Sequence, residues 1–197
     1  MRSGAAGGAP GLSRRVGWLI AVIAVMAVLT AGWPLVTLAV SDNQPAAAGS
    51  PLTIGPDSTH SAQFTPGRGW VIRSAETDPN QLWTLCRGPV DASVTQVTLA
   101  NPSQVGQLWP GLVNILRLGS PSARLGKPVA ITSAQGGKGL TGTLTENGRG
   151  GQAAIFPGPS EDFAIEIVTV APETDSRTAR SAAVQLVRSL RFPAASG

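Results

Sequence analysis

Nucleophilic or general-base chemistry in this chain has few places to start, because His60 is its only imidazole and Cys86 its only thiol. Ser–His or Cys–His catalysis needs the imidazole within hydrogen-bond reach of the nucleophile and a third group to orient it. His60 falls beside a proline-rich segment, at the edge of the first predicted strand, so a solvent-exposed side chain is expected. Cys86 shares a strand face with Leu82 and Thr84, which reads as a buried, inert thiol. The alternative is a disulfide between two chains, since an odd external cysteine finds no partner in its own. One cysteine also excludes a disulfide scaffold and any multi-cysteine zinc or iron–sulfur site. No GxSxG or SxxK signature marks a serine nucleophile.

Gly137, Gly139 and Gly142 match the spacing of a dinucleotide fingerprint. That motif works only where a helix follows the glycines and turns its N-terminal amides toward a pyrophosphate. Here a strand pattern and Asn147-Gly148 follow, so the glycines read as a hairpin loop and no cofactor is expected. Glu161 and Asp162 are adjacent; in an extended chain they point to opposite faces and make no acid–base pair. Two sets of binding candidates remain. Trp70, Trp83 and Trp109 read either as core aromatics or as the lining of a ligand groove. Arg177, Arg180 and Arg188 read as a solvated helix face or as contacts for anionic headgroups and envelope polymers.

The elements that must position these residues alternate at short spacing. Strands are predicted at 61–64, 70–74, 81–87, 93–99, 129–132, 140–146, 152–156 and 163–171. The last, with Phe163, Ile165 and Ile167 on one face and Glu166 on the other until both faces turn apolar, belongs in the middle of a sheet. Asn147-Gly148 marks a hairpin, lengthened by Gly150 and Gly151. One helix is predicted from Asn101-Pro102, with Leu108, Trp109, Leu112, Ile115 and Leu116 on one face and Pro110 imposing a kink or a late start. A second, capped by Thr174 or Asp175, carries Ala179, Ala182, Ala183, Leu186, Val187 and Leu190 at three-and-four spacing. The fold class is α+β, an antiparallel sheet flanked by two main helices.

Charge and hydropathy place this domain. The net charge is +4, yet the first fifteen residues hold Arg2, Arg14 and Arg15 with no acidic residue. From Asp42 onward twelve Lys and Arg face eleven Asp and Glu, so the domain is near neutral. Nucleic-acid binders concentrate basic charge on one face, and no nucleic-acid partner is expected. Arg outnumbers Lys thirteen to two beside abundant Ala, Gly and Pro, the mark of a GC-rich bacterial genome. Twenty-six uncharged residues separate Arg15 from Asp42; a bilayer core of about 30 Å takes roughly 20 as a helix. Residues 16–40 therefore read as an uncleaved transmembrane helix after a basic cytoplasmic tail at 1–15. Arg14 and Arg15 set its N-inside orientation, and Trp18 and Trp33 serve as interfacial anchors. Ala27 and Ala31 form a small-xxx-small pair through which a homodimer would pack. Residues 41–58 read as a flexible stalk, 59–193 as an extracytoplasmic domain and 194–197 as a disordered tail.

Two local patterns bracket the domain: Phe64, Pro66, Gly67, Arg68, Gly69 and Trp70 near its start, and Ser189, Leu190, Arg191 and Phe192 closing the final helix. In this layout the chain resembles the PsbP-like superfamily, which includes actinobacterial envelope lipoproteins of the LpqN type. The resemblance implies a PsbP-like αβα sandwich and a non-catalytic accessory role at the cell envelope. The chain departs from the pattern in having a membrane span in place of a lipid-modified cysteine, and in lacking the acidic and histidine metal positions of some members, so no metal is expected. The leading expectation is a single-pass cell-membrane protein whose external domain binds an envelope protein or polymer without catalysing a reaction. An envelope hydrolase using a serine nucleophile and a structural subunit of a membrane complex are the alternatives.

Overall fold

The computed structural model describes residues 43–99 and 106–193. The tail, the span at 16–40 with Arg14, Arg15, Trp18 and Trp33, the Ala27/Ala31 pair, the helix start at Asn101-Pro102 and the end at 194–197 lie outside them. Among the described residues no helix is long and apolar enough to cross a membrane.

The chain opens with β1 (Asn43–Pro45), β2 (Leu52–Ile54), β3 (Ala62–Phe64) and β4 (Val71–Arg73), followed by the long hairpin β5 (Leu82–Arg87) and β6 (Val90–Thr98). Helix α1 (Leu108–Gly119) leads to the short β7 (Arg124–Leu125) and β8 (Val129–Thr132). Three long strands follow, β9 (Lys138–Glu146), β10 (Arg149–Pro157) and β11 (Phe163–Pro172), and α2 (Ser176–Ser189) closes the domain. One antiparallel sheet runs β1-β4-β5-β6-β11-β10-β9-β7, with β8 on the same strand β9, and β2 and β3 form a separate ribbon. The predicted α+β class and the central place of β11 both stand.

Alternation along β11 sorts the molecule into two cores. Phe163, Ile165 and Ile167 turn toward α2, meeting Ala179, Ala182, Leu186 and Val187 together with Phe64, Trp70, Leu85 and Val94. Ala164 and Val168 turn the other way, where Ala153 and Ile155 of β10 meet Leu108, Trp109 and Leu112 of α1. The α1 core is much the smaller of the two. Along β6 the same alternation leaves Val90, Ala92 and Val94 buried under α2, while Asp91, Ser93, Thr95 and Val97 stay half-buried on the α1 side. Helix α1 thus covers the β9–β11 half of its face and leaves the β5–β6 half open.

Two expectations change and a third resolves between its alternatives. The supposed stalk is part of the domain from Asn43 onward: β1 extends the sheet by pairing with β4, β2 pairs with β3, and Ala46 and Ile54 are core residues. Strands of three residues have too few positions to show alternation, so only their distant partners reveal them. The hairpin between β9 and β10 is a bare two-residue turn, with Asn147 at φ 46° and Gly148 at φ 71°, as a type I′ turn requires. Gly150 and Gly151 therefore belong to β10. A Cβ on Gly151 would stand 1.8 Å from the carbonyl oxygen of Thr169, so close strand approach and not turn chemistry calls for glycine there. Of the kink and the late start allowed at Pro110, the late start is the one observed, at Leu108. Pro110 then sits in the first turn, where its missing N–H loses no intrahelical bond and no kink is needed.

Candidate functional site

On the half-open face, the edge of α1 and the floor of the sheet enclose a groove of about 210 Å³. Its walls are Leu108, Gly111, Leu112 and Ile115 of α1, with Ile115 51% exposed at the rim, and its floor is Val97, Leu99 and Glu166. Glu166 is the exception in an apolar site. It is 7% exposed, and among the described residues it makes no hydrogen bond or ion pair. Its register neighbours are Thr95 on β6 and Ile155 on β10. Burial alone pushes its carboxyl up to about 7, because removing water penalises the charged form and nothing nearby compensates. Alternation had put Glu166 on a less apolar face; α1 encloses it. The signal was present in the sequence, since Ala164 and Val168, its same-face neighbours, are both apolar.

Further along the same face Asp91 bridges two arginines. Arg73 Nη2 donates to Oδ1 at 2.7 Å and Arg149 Nη2 to Oδ2 at 2.5 Å. Cys86 lies beside Arg73 and raises its pKa, chiefly as a hydrogen-bond partner, and the thiol is free and half-buried on the open side of the sheet. The expectation of a buried thiol is corrected on this point: the face that Cys86 shares with Leu82 and Thr84 is the one α1 leaves uncovered.

His60 is exposed as expected, but it has partners that the sequence did not suggest. It is held at both ring nitrogens, Nδ1 at 3.0 Å from Asp57 Oδ2 and Nε2 at 2.9 Å from Asp162 Oδ2, with the side chain 38% exposed. The Asp57 side chain first, then Asp162, raise the imidazole pKa above its ordinary value. Asp57 is lowered mainly by the backbone N–H of His60, and Asp162 mainly by the hydroxyl of Ser160, which donates to its Oδ1. The order Ser160–Asp162–His60–Asp57 places a carboxylate between serine and imidazole. A triad needs the hydroxyl directly on the ring, so this chain of contacts does not activate Ser160. The two carboxylates lie on opposite ring nitrogens, and among the described residues no group of three or more metal-ligating side chains converges.

The other sequence candidates are dispersed. Trp70 is 1% exposed inside the larger core, with the Arg87 guanidinium 4.9 Å above its ring. Trp83 packs edge-on against Phe64 and donates Nε1–H to the carbonyl of Thr53 at 2.9 Å. Trp109, 7% exposed, anchors α1 on the opposite face. The three rings line no common surface; core packing, the first of their two readings, describes Trp70 and Trp109. Arg177 and Arg188 are exposed and Arg180 half-exposed along α2, opposite its buried alanines. The glycine motif lies on and just before β9 with no helix after it. Asp175 is the N-cap residue of α2 but makes no side-chain capping bond.

No protein-family model and no curated protein matches this sequence. Among solved structures, the chain is similar to cyanobacterial PsbP (CyanoP) from Synechocystis, with a TM-score of 0.50 at 14% identity over 74% of this chain and 94% of that one. It also matches LpqN of Mycobacterium tuberculosis, described as involved in cell envelope biogenesis, at TM-score 0.38 and 20% identity over 73% of this chain and 84% of that one. A Bacteroides thetaiotaomicron protein matches at TM-score 0.39 and 12% identity, over 69% of this chain and 46% of that one. The likeness to CyanoP is one of fold: the antiparallel sheet with its flanking helices is a PsbP-like αβα sandwich.

Proposed function

We propose that this chain is a membrane-tethered accessory domain of a bacterial cell envelope, non-catalytic, which binds an envelope component on the half-open face of its sheet. The observation that carries the reading is the groove between α1 and β6–β11, where exposed apolar wall meets a buried carboxylate that has no partner among the described residues. A protein gains nothing in stability from burying an unpaired carboxyl, so such a group in an open cleft points to a ligand. The uncharged run at 16–40, with Arg14 and Arg15 before it, supports an external address on a single N-inside span. In this reading Arg177, Arg180 and Arg188 meet anionic headgroups or polymer on the opposite face.

The test uses the full chain in a bacterial host, with a photo-crosslinking residue at Val97 in the groove or at Leu118, which is 86% exposed on α1. The protein is expected to stay in the membrane fraction after an alkaline wash and to lose its domain to protease added outside. Val97 is expected to capture an envelope component and Leu118 is not. A domain protected from external protease overturns the address. Equal capture from both positions overturns the binding face.

A further inference from the structure

The groove's chemistry narrows what it takes. Its lining offers hydrophobic contact from Val97, Leu99, Leu108, Leu112 and Ile115, and among the described residues its polar side chains are Glu166 and Gln107. Among the described residues no basic side chain lines it, so an anionic head would meet no counter-charge there. An ionised carboxylate is an acceptor only, and in a water-poor site it gains most from a donor that is itself charged. Resting on the binding face proposed above, the geometry points to a ligand in which a primary ammonium is joined directly to an apolar chain, the chain lying along α1 and the ammonium donating to Glu166.

Among the described residues no titratable group faces Glu166 from the neighbouring elements. β6 presents Thr95 and Val97, β10 presents Ala153 and Ile155, and α1 presents Leu108, Gly111, Leu112 and Ile115. The nearest charges on this face, Asp91 with Arg73 and Arg149, stand at the register of Val170, two same-face positions along β11. An alkylammonium keeps its charge below about pH 10, so Glu166 is the group that titrates on the way to binding. With its carboxyl at about 7, an ammonium that requires the ionised form binds about 30-fold more weakly at pH 5.5 than at pH 8.

The experiment places the full chain in neutral-lipid nanodiscs and follows the methyl resonances of Leu108, Leu112 and Ile115 during titration with hexylammonium, hexanol or hexanoate. Hexylammonium is expected to move these methyls at a concentration at least tenfold lower than hexanol at pH 8, with that advantage gone at pH 5.5 and in Glu166→Gln. Hexanoate is expected to bind more weakly than hexanol. Gly111→Leu fills the groove from the helix side, where a Cβ meets nothing within 4 Å, and is expected to abolish the shifts with all three probes. Equal binding of hexylammonium and hexanol at pH 8, or a preference that survives Glu166→Gln, overturns the ammonium while leaving the binding face standing. Methyls that respond to no probe, or respond unchanged in Gly111→Leu, overturn the groove as a binding site and the inference with it.

Discussion

His60 Nε2 lies 2.9 Å from Oδ2 of Asp162, a residue 102 positions later in the chain. The contact ties the loop between β2 and β3 to the loop that feeds the central strand β11, and Asp57 holds the other ring nitrogen. The imidazole pKa is raised, so its contribution to stability is complete below the ordinary value of 6.5 and is lost as pH rises through the higher folded value. Both carboxylates are lowered, so theirs is present above 3.8 and lost as pH falls through the lower folded values. The clasp is therefore tightest between these limits. In NMR titrations the His60 ring is expected to titrate above 6.5 in the wild type and to move down in Asp57→Asn and in Asp162→Asn. Amide exchange at Ser160–Asp162, corrected for its intrinsic rate, is expected to be slower at pH 5.5 than at pH 8 and equal at the two in His60→Ala. A ring titrating at or below 6.5 would sink the clasp.

Glu166 works against stability at alkaline pH. Its folded pKa of about 7 exceeds the ordinary 4.5, so the folded state holds the proton more tightly and stability falls as pH rises between those values. The shift corresponds to at most about 3 kcal/mol, reached above pH 7. Glu166→Gln removes the titration and keeps the shape. The variant is expected to match the wild type near pH 4.5 and to exceed it in urea midpoint at pH 8. A wild-type protein whose midpoint rises from pH 5 to 8 in parallel with the variant's would refute the buried carboxyl. The same substitution that stabilises the fold should remove the ammonium preference, the trade expected of a group kept for binding.

The long strands and both helices were legible because each runs far enough to repeat its period. β11 shows alternation and then apolar residues on both faces, which only a central strand sustains, and α2 shows three-and-four spacing over fourteen residues. The candidate site was legible only in part. Leu108, Leu112 and Ile115 stood out as one helix face, but nothing local says how much of the sheet that face covers. The short α1 core leaves the β5–β6 half open, and that is a fact of length and register. The exposure of His60 was legible, but its clasp was not, because its partners are a turn residue and an aspartate a hundred positions away. β1 and β2 read as a stalk in the sequence because pairing, not periodicity, makes them strands.

Gly142 and Trp109 form a second coupled pair. A Cβ on Gly142 would stand 2.8 Å from Cζ2 of the indole, on the strand that seats α1. Gly142→Ala therefore overpacks the smaller core and is expected to destabilise by roughly 1–3 kcal/mol. Trp109→Phe vacates the space that the new methyl would occupy. In chemical denaturation the double variant is expected to be more stable than the sum of the two single changes, by about 0.5–3 kcal/mol of coupling. Strict additivity would mean that the ring and the strand do not share that space. Because Trp109 shares the smaller core with Leu108 and Leu112, which line the groove, Gly142→Ala should also shift the Ile115 methyl resonance.

Residues 43–58 provide the last test, since their two readings make opposite demands on a shortened chain. If they were a stalk, a chain starting at residue 59 would fold as well as one starting at residue 43. Instead, β1 covers the edge of β4, the Ala46 N–H donates to the carbonyl of Trp70 at 2.9 Å, and Ile54 is fully enclosed beside Phe64 and Trp70. Gly55, at φ 128°, turns the chain so tightly that a Cβ there would stand 2.1 Å from the carbonyl of His60. Starting at residue 59 exposes the β4 edge, leaves β3 without its ribbon partner and removes Asp57 from the clasp. Burial of Ile54 alone contributes about 1.5–3 kcal/mol, a large share of the 5–15 kcal/mol that holds a typical domain together. The chain from 43 is expected to give a dispersed amide spectrum and a cooperative melt. The chain from 59 is expected to lose both or to aggregate through its uncovered edge strand. Equal melting temperatures for the two would show that β1 and β2 contribute nothing and return the segment to the stalk.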